Sequence, residues 1–149
     1  MIKVWVDGLA KGNHLKGKGE AAVGVVIEGT IRRNWLSHKI KEPLTNNEAE
    51  YVALLVAARY IRMVSGKGED VFIFSDSALV VNQLNGVWKT NDKKFIPIQD
   101  EIRSLLDGAN VYYIWVNREQ TKEADRLANQ AFKAEGSPMY SVQEFFGGD

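Results

Sequence analysis

One segment of the chain restricts the fold more than any other, a long apolar stretch that opens with a helix-capping signal. Residues 45 to 51 read Thr-Asn-Asn-Glu-Ala-Glu-Tyr, and the apolar pattern continues to about Val64 before a Ser-Gly pair. With Thr45 as N-cap and Glu48 three positions on, the two side chains form a capping box that satisfies two free backbone N–H groups. The sequence therefore predicts a helix from Thr45 to about Val64.

The two acids near the start of this helix head different rows of side chains. At 3.6 residues per turn, Glu48 shares a row that drifts toward solvent, consisting of Val52, Leu55, Arg59 and Arg62. Glu50 heads a core-facing row, consisting of Leu54, Ala57 and Ile61. A lone Glu there could simply reach water at the helix start. Since burying an unpaired charge is costly, Glu50 otherwise implies a nearby cation, a metal or a second carboxylate.

Length and composition describe one globular domain. The 149 residues, 45% of them hydrophobic, suffice for one core, which we expect over about residues 2–135, with a tail over 136–149. Cysteine is absent, so disulfides and thiolate metal sites are excluded, and any metal is held by oxygen or by the two His. The N-terminal residues do not resemble a signal peptide, and no apolar run is long enough to span a membrane, which predicts a cytoplasmic protein.

Net charge limits how a nucleic acid could be bound. Nineteen basic and nineteen acidic residues cancel, so the chain lacks the overall positive field of proteins that hold DNA by charge alone. A nucleic-acid partner would have to be gripped locally. Local basic clusters exist, such as Lys89, Lys93 and Lys94 around Trp88, although a single cluster of this kind is more often a solvated surface patch.

Alternation of apolar and polar residues predicts an α/β fold. Strands are expected over residues 2–7, 21–28, 30–40, 71–75 and 111–116, with a loop over 9–19. Further helices are expected over residues 77–85, 92–106 and 122–135. The tail contains Tyr140, Phe145 and Phe146, which favours docking of the tail onto the body over a partner-binding peptide, because exposed Phe pairs are unfavourable in water.

Four carboxylates stand where α/β proteins gather reactive groups. Asp7 and Asp76 follow predicted strands, while Glu50 and Asp125 lie in the first turns of predicted helices. Each acid has its own ordinary explanation as a turn, cap or helix-dipole residue. Taken together, and without cysteine, they suggest one oxygen-lined site for hard cations.

The segments around these acids resemble ribonuclease H of type 1. The matching segments, in family order, are Val6-Asp7-Gly8, Thr45-Asn46-Asn47-x-x-Glu50, Ser75-Asp76-Ser77 and Glu123-Ala124-Asp125-x-Leu127-Ala128. Each segment is weak alone, but the joint pattern is specific. The resemblance covers about residues 2–135 and implies a ribonuclease H-like fold, a mixed five-stranded sheet with helices on both faces. It also implies endonucleolytic cleavage of the RNA strand of RNA–DNA hybrids.

The resemblance further implies metal chemistry at the four acids. In that family two Mg²⁺ ions about 4 Å apart flank the scissile phosphate, one activating water and the other stabilising the leaving oxygen, and Mn²⁺ is a possible substitute. Carried over, Asp7 bridges both ions, Asp125 helps to hold the water-activating ion, and Glu50 and Asp76 hold the other. The products would carry 5′-phosphate and 3′-hydroxyl ends.

Substrate contacts are expected from residues near these segments. Asn13, Thr45 and Asn46 could reach base edges, 2′-hydroxyls and a phosphate from the minor groove, although Asn13 and Asn46 are also ordinary turn and first-turn residues. Trp88 and Lys89 resemble the family's contacts to the DNA strand, with a core or half-exposed packing Trp as the alternative.

The sequence departs from the family pattern in the loop before the last acid. Many relatives carry a His there, whereas residues 117–121 read Asn-Arg-Glu-Gln-Thr, and Arg118 could contact phosphate but cannot accept a proton near neutral pH. The alternatives are a related nuclease acting on double-stranded RNA and a catalytically weak nucleic-acid-binding module. We expect a monomer.

Overall fold

The computed structural model describes residues 1–12 and 17–147, and its main elements follow the order that the sequence predicts. The strands are β1 (Ile2–Lys11), β2 (Gly19–Glu28), β3 (Arg33–Leu44), β4 (Asp70–Ser75), β5 (Asn110–Trp115) and β6 (Met139–Tyr140). The α-helices are α1 (Asn46–Val64), α2 (Ala78–Leu84), α3 (Ile96–Leu105) and α4 (Lys122–Lys133). Short 3₁₀ helices lie at Lys93–Phe95, Arg118–Thr121 and Val142–Phe145.

The strands form one mixed sheet in the order β5-β4-β1-β2-β3-β6. Strands β1, β2 and β3 are antiparallel neighbours, β4 and β5 extend the sheet in parallel from β1, and β6 pairs in parallel with β3. The predicted mixed α/β sheet is confirmed, but the predicted number of five strands is wrong by one. The sixth strand has only two residues, which pair with Lys39 and Ile40.

Docking of the C-terminal tail explains this extra strand. The ring of Tyr140 lies 4.5 Å from that of His38, and the ring of Phe145 lies 6.2 Å from it. The Glu42 carboxylate accepts hydrogen bonds from Ser141 Oγ at 2.5 Å and from the backbone N–H of Val142 at 2.9 Å. Docking of the tail aromatics on the body is therefore confirmed.

Helix α1 begins as its capping signal predicts. Thr45 Oγ1 accepts from the backbone N–H of Glu48 at 3.1 Å, and Glu48 Oε1 accepts from the backbone N–H of Thr45 at 2.9 Å. The prediction that the Glu48 row runs to solvent is wrong in its first half, since Val52 and Leu55 are buried. The reason is that α1 packs on β1 and β2, against α3 and beside the tail, so it is enclosed on almost every side.

Two strands extend beyond the alternating patterns. Strand β1 continues to Lys11, which pairs with Glu20, so part of the predicted loop over 9–19 is strand. Strand β3 continues past Pro43 to Leu44, which pairs with Gly19. Both extensions arise from hydrogen-bonded pairing with β2, which the composition of these segments does not indicate.

The helices cover the two faces of the sheet unequally. Helices α1, α2 and α3 bury the larger core on one face, and α4 packs across β1, β2 and β3 on the other. Among the residues described, no helix is both long enough and apolar enough to cross a membrane. The arrangement leaves the end of β4, and the part of β1 just beyond its pairing with β4, open beside the first turns of α1 and α4.

Candidate active site

One cleft collects the four acids that the sequence singles out. It has a volume of about 370 Å³ and lies at the carboxyl end of β4, beside the middle of β1. The prediction that Asp7 follows a strand is wrong, because β1 continues past it to Lys11 through pairing with β2. Its lining consists of Asp7, Gly8, Leu9, Asn46, Asn47, Glu50, Asp76, Ser77, Arg118 and Asp125. Asp7, Glu50 and Asp76 each offer a carboxylate oxygen within 4.8 Å of the others.

A glycine brings Asp7 and Glu50 together. The backbone N–H of Gly8 donates to Glu50 Oε1 at 2.6 Å. A Cβ on Gly8 would lie 2.0 Å from the carbonyl oxygen of Ala49, closer than any real contact of this kind. Strand β1 therefore touches the first turn of α1 backbone to backbone, and only glycine allows that approach.

A second glycine brings α4, and with it Asp125, onto the sheet. A Cβ on Gly24 would lie 1.9 Å from the carbonyl oxygen of Ala124 and 2.8 Å from the backbone nitrogen of Ala128. Because α4 approaches β2 this closely, the carboxyl group of Asp125 comes within hydrogen-bonding contact of Asp7. Small residues on both partners thus determine how far the fourth acid lies from the other three.

Asp76 is held from two sides at the end of β4. The cap of α2 is Ser77, whose side chain accepts from the backbone N–H of Val80, so the side chain of Asp76 is not used as a cap. Trp115 Nε1 donates to the Asp76 carbonyl oxygen at 3.2 Å, and Thr121 Oγ1 donates to Asp76 Oδ2 at 3.3 Å. Thr121 was not predicted as a site residue, because its only signal in the sequence is its place between the polar loop and α4.

Crowding of negative charge shifts the acid–base behaviour of the cleft. Burial raises the pKa of Asp7 to about 9, with further contributions from the Glu50 charge and the contact with Asp125. Burial also raises the pKa of Glu50 to about 8, although the hydrogen bond from Gly8 works in the opposite direction. Without a counter-cation these two groups therefore favour the protonated state near neutral pH.

The donor set restricts which ion could fit between these acids. It consists of carboxylate oxygens alone, which suit hard divalent cations better than soft ones. A cation would also offset the burial of these acids and the repulsion between them, which together raise the two pKa values. The cleft is therefore a candidate metal centre.

Three predicted substrate-binding residues lie at or beside this cleft. Arg118 Nε lies 3.7 Å from Asp76 Oδ2, and the Arg118 side chain is 90% exposed. Asn46 lines the cleft, and its Oδ1 accepts from the backbone N–H of Ala10 at 3.3 Å. Thr45 is the N-cap of α1, and its hydroxyl oxygen already accepts from Glu48.

Trp88 and Lys89 lie in a second cleft of about 600 Å³. Asn47 lines both clefts, so the two are neighbours across the start of α1. Trp88 is 47% exposed, which excludes a core Trp and leaves both a substrate contact and a half-exposed packing Trp open. Asn13, also predicted to bind substrate, lies outside the described residues.

Comparison with known proteins agrees with this geometry. The Reverse transcriptase-like family model matches residues 8–131. Ribonuclease HI of Halobacterium salinarum is 35% identical over 143 residues, which cover 87% of this chain and 63% of that protein. YpeP, an uncharacterized protein of Bacillus subtilis, is 35% identical over 115 residues, which cover 74% of this chain and 51% of that protein. The chain thus spans about half to two thirds of the length of these relatives.

Solved structures define the class of fold. The crystal structure of RNase H1 from H. salinarum superposes with a TM-score of 0.77 at 32% identity, covering 89% of this chain and 97% of that one. LC11-RNase H1 in complex with RNA/DNA hybrid gives a TM-score of 0.80 at 29% identity, covering 89% and 97%. The fold, with the four acids in one cleft, is that of the ribonuclease H-like proteins.

Within the ribonuclease H-like class, the chain agrees in further detail with one family. The acid-bearing segments occur in the order and on the elements that the sequence predicts, and the matches extend over most of the described chain. The chain belongs to the ribonuclease H type 1 family.

Proposed function

We propose that this chain is a metal-dependent endoribonuclease that cleaves the RNA strand of RNA–DNA hybrids. The observation that carries the proposal is the convergence of four carboxylates from β1, α1, β4 and α4 in one open cleft. The names of relatives support the substrate class, since one is a ribonuclease HI and another was solved as RNase H1 with an RNA/DNA hybrid. The relatives are longer than this chain, so the proposal concerns the domain over residues 1–149.

The four acids are proposed as the metal ligands, with two Mg²⁺ ions as the natural cofactor and Mn²⁺ as a substitute. Three carboxylate oxygens within 4.8 Å of one another, joined by Asp125 beside Asp7, suit hard cations. Two such ions, when bound, supply positive charge that activates water and stabilises both oxygens of an in-line displacement at phosphorus. With water as the nucleophile and the 3′-oxygen as the leaving group, the products would carry 5′-phosphate and 3′-hydroxyl ends.

Each acid has a distinct place in this proposal. Asp7 is the most buried of the four and contacts acids on both sides, which suits a ligand shared by two ions. Asp125 is proposed to serve the ion that activates water, and Glu50 with Asp76 the other. The N–H of Gly8 and the hydroxyl of Thr121 keep the carboxylates of Glu50 and Asp76 oriented toward the cleft.

Substrate binding is proposed to use residues on both sides of the acids. Arg118, exposed beside Asp76, is placed to contact a phosphate of the RNA strand, while Asn46 and Thr45 at the start of α1 face the minor groove. Asn13 is proposed for the same groove from sequence alone. The second cleft, with Trp88 and Lys89, would accept the DNA strand through stacking and charge.

The proposed function is tested by presenting three end-labelled duplexes of the same sequence, namely hybrid, double-stranded RNA and double-stranded DNA. With Mg²⁺ or Mn²⁺ we expect cleavage of the RNA strand in the hybrid and products ending in 3′-hydroxyl groups. Asp76→Asn serves as the inactive control. Faster cutting of double-stranded RNA would support the related nuclease, and binding of hybrid without cleavage under either metal would support a binding module.

A further inference from the structure

A buried polar network joins α1 to the segment that carries Trp88 and Lys89. Tyr51 Oη donates to Gln83 Oε1 at 2.6 Å and accepts from Gln99 Nε2 at 2.7 Å. Gln99 Nε2 also donates to Thr90 Oγ1 at 2.9 Å. We call these four side chains the Tyr51 network.

The Tyr51 network lies where apolar side chains would ordinarily pack. Tyr51 has no exposed surface, Gln99 is 4% exposed and Gln83 is 6% exposed. In the described part of the chain, no buried side-chain nitrogen or oxygen lacks a hydrogen-bond partner. A satisfied buried network of this kind favours one arrangement of its members, because any other arrangement leaves a polar group without a partner.

The segment that the network holds has little regular structure of its own. Residues 85–92 connect α2 to the 3₁₀ turn before α3. The backbone N–H groups of Val87 and Trp88 both donate to the carbonyl oxygen of Asn82, at 2.9 and 3.0 Å. Beyond Trp88, the ties to the body include the Gln99 contact to Thr90 and a long contact of 3.5 Å from Gln83 Nε2 to the carbonyl oxygen of Lys89.

The same network reaches the candidate active site through the chain itself. Tyr51 follows Glu50 in α1, so one turn of helix places an acid in the catalytic cleft and a hydroxyl in the Tyr51 network. The Tyr51 ring stacks on Phe95 with centroids 4.9 Å apart, and Phe95 lines the second cleft with Trp88 and Lys89. The two clefts are thus tied by direct contacts.

We propose that Tyr51, Gln83, Thr90 and Gln99 are positioning residues that set the distance between the carboxylates and the Trp88–Lys89 segment. The inference rests on the proposed function, because it assumes that the Trp88–Lys89 segment binds the hybrid. Loosening the network then weakens binding of the hybrid and leaves the chemical step of bound substrate unchanged.

Thr90 offers the sharpest test because it lies at the margin of the core, where a small change leaves the fold intact. Thr90→Val removes the hydroxyl at nearly constant shape, and Thr90→Ser keeps it. We expect Thr90→Val to raise KM for the hybrid by about tenfold, about 1.4 kcal/mol, with kcat within about twofold. Thr90→Ser should restore KM. An unchanged KM in Thr90→Val, or an equal loss in both variants, overturns the proposal.

A double-mutant cycle separates positioning from general destabilisation. In a Trp88→Ala background, Thr90→Val should raise KM by less than about twofold, because the side chain that it positions is gone. A full tenfold effect in that background would show that the network does not act through Trp88. Gln99→Leu removes the donor of the hydrogen bond to Thr90. Its effect on KM, measured with and without Trp88→Ala, repeats the test.

A readout independent of activity keeps failure of this inference distinct from failure of the proposed function. The indole N–H resonance of Trp88, assigned with Trp88→Phe, should shift or broaden in Thr90→Val and return in Thr90→Ser. An unchanged indole resonance in Thr90→Val contradicts the positioning role, whatever the enzyme cleaves. A wild-type chain that leaves the hybrid intact contradicts the proposed function alone.

Discussion

The backbone N–H of Gly8 donates to Glu50 Oε1 at 2.6 Å, where β1 and the first turns of α1 are in backbone contact. Gly8 follows Asp7 in β1, so the strand that carries Asp7 also holds the carboxylate of Glu50 by a hydrogen bond. The spacing between these two carboxylates is therefore set by backbone contact.

Gly8→Ala should separate β1 from α1. The new Cβ would lie 2.0 Å from the Ala49 carbonyl oxygen, so the helix must move. We expect a loss of stability of about 1–3 kcal/mol, as for other overpacked sites, and a fall in hybrid cleavage of more than about a hundredfold. Urea unfolding and single-turnover cleavage measure the two effects. Gly29→Ala is the matched control, because its nearest neighbour lies 3.6 Å away, and an equal loss there would contradict the account.

Stability of the metal-free protein should fall as pH rises. Asp7 and Glu50 have pKa values raised to about 9 and about 8, so the folded state holds their protons more tightly than the unfolded state does. The resulting stability is fully present below about pH 4, where both states are protonated, and is lost progressively up to about pH 9. Urea unfolding across this range in EDTA measures the slope.

Asp7→Asn should remove much of that slope. At pH 8 without metal we expect the variant to be more stable than wild type by about 1–3 kcal/mol, because Asn is neutral in both states, whereas Asp7 must take up a proton when the chain folds. Added Mg²⁺ should stabilise the wild type and have little effect on the variant. A variant that is destabilised in EDTA at pH 8 would contradict the view of the cleft as a cluster of repelling acids.

Arg118 should act as a phosphate contact and not as a proton acceptor. Arg118→Ala is expected to lower kcat/KM by about tenfold, and Arg118→Lys should recover part of it by keeping the charge. The shape of the pH–rate profile should be the same in all three proteins, since guanidinium does not titrate near neutral pH. Lys122→Ala, a neighbouring exposed cation, serves as control. A changed profile in Arg118→Ala would contradict the assignment.

Removal of the docking contact for the tail should destabilise the body. Burial pushes the pKa of Glu42 up, but hydrogen bonds from Ser141 and Val142 and the charge of Lys41 outweigh it, and the pKa is lowered. This stability is present above the unfolded pKa near 4 and is lost as pH falls through the lower folded pKa. We expect Glu42→Ala to cost about 1 kcal/mol near pH 7, measured by thermal unfolding. The exposed acid Glu20 provides the control, and equal effects of Glu20→Ala and Glu42→Ala would contradict a docked tail.

The sequence predicted well those features that depend on local patterning. The capping box of α1, the apolar strand before Asp76 and the last helix all follow from residue types at fixed spacing. The prediction that the Glu48 row faces solvent failed because α1 is enclosed on nearly all sides. In such a helix, a 3.6-residue period no longer separates core from solvent. The sixth strand was missed because two residues pair only when the tail aromatics dock on His38.

The sequence predicted which acids form the candidate site, but it did not predict the contacts that hold them in place. Four acids at strand ends and helix starts follow from chain order, but the close approaches at Gly8 and Gly24 depend on distant backbone, and so does the contact of Thr121 with Asp76. No local pattern encodes such contacts. The single-domain organisation, the monomeric state and the cytoplasmic location stay predictions.

The most direct measurement compares two acids that lie two residues apart in one helix. Single-turnover cleavage of an RNA–DNA hybrid with Mg²⁺ should be abolished, by more than about a thousandfold, in Glu50→Gln, whose carboxylate lines the cleft. Glu48→Gln keeps the capping box and should cleave within about threefold of wild type. If both variants cleave at the wild-type rate, or if Glu48→Gln fails as Glu50→Gln does, the four-carboxylate site is not the centre of the chemistry.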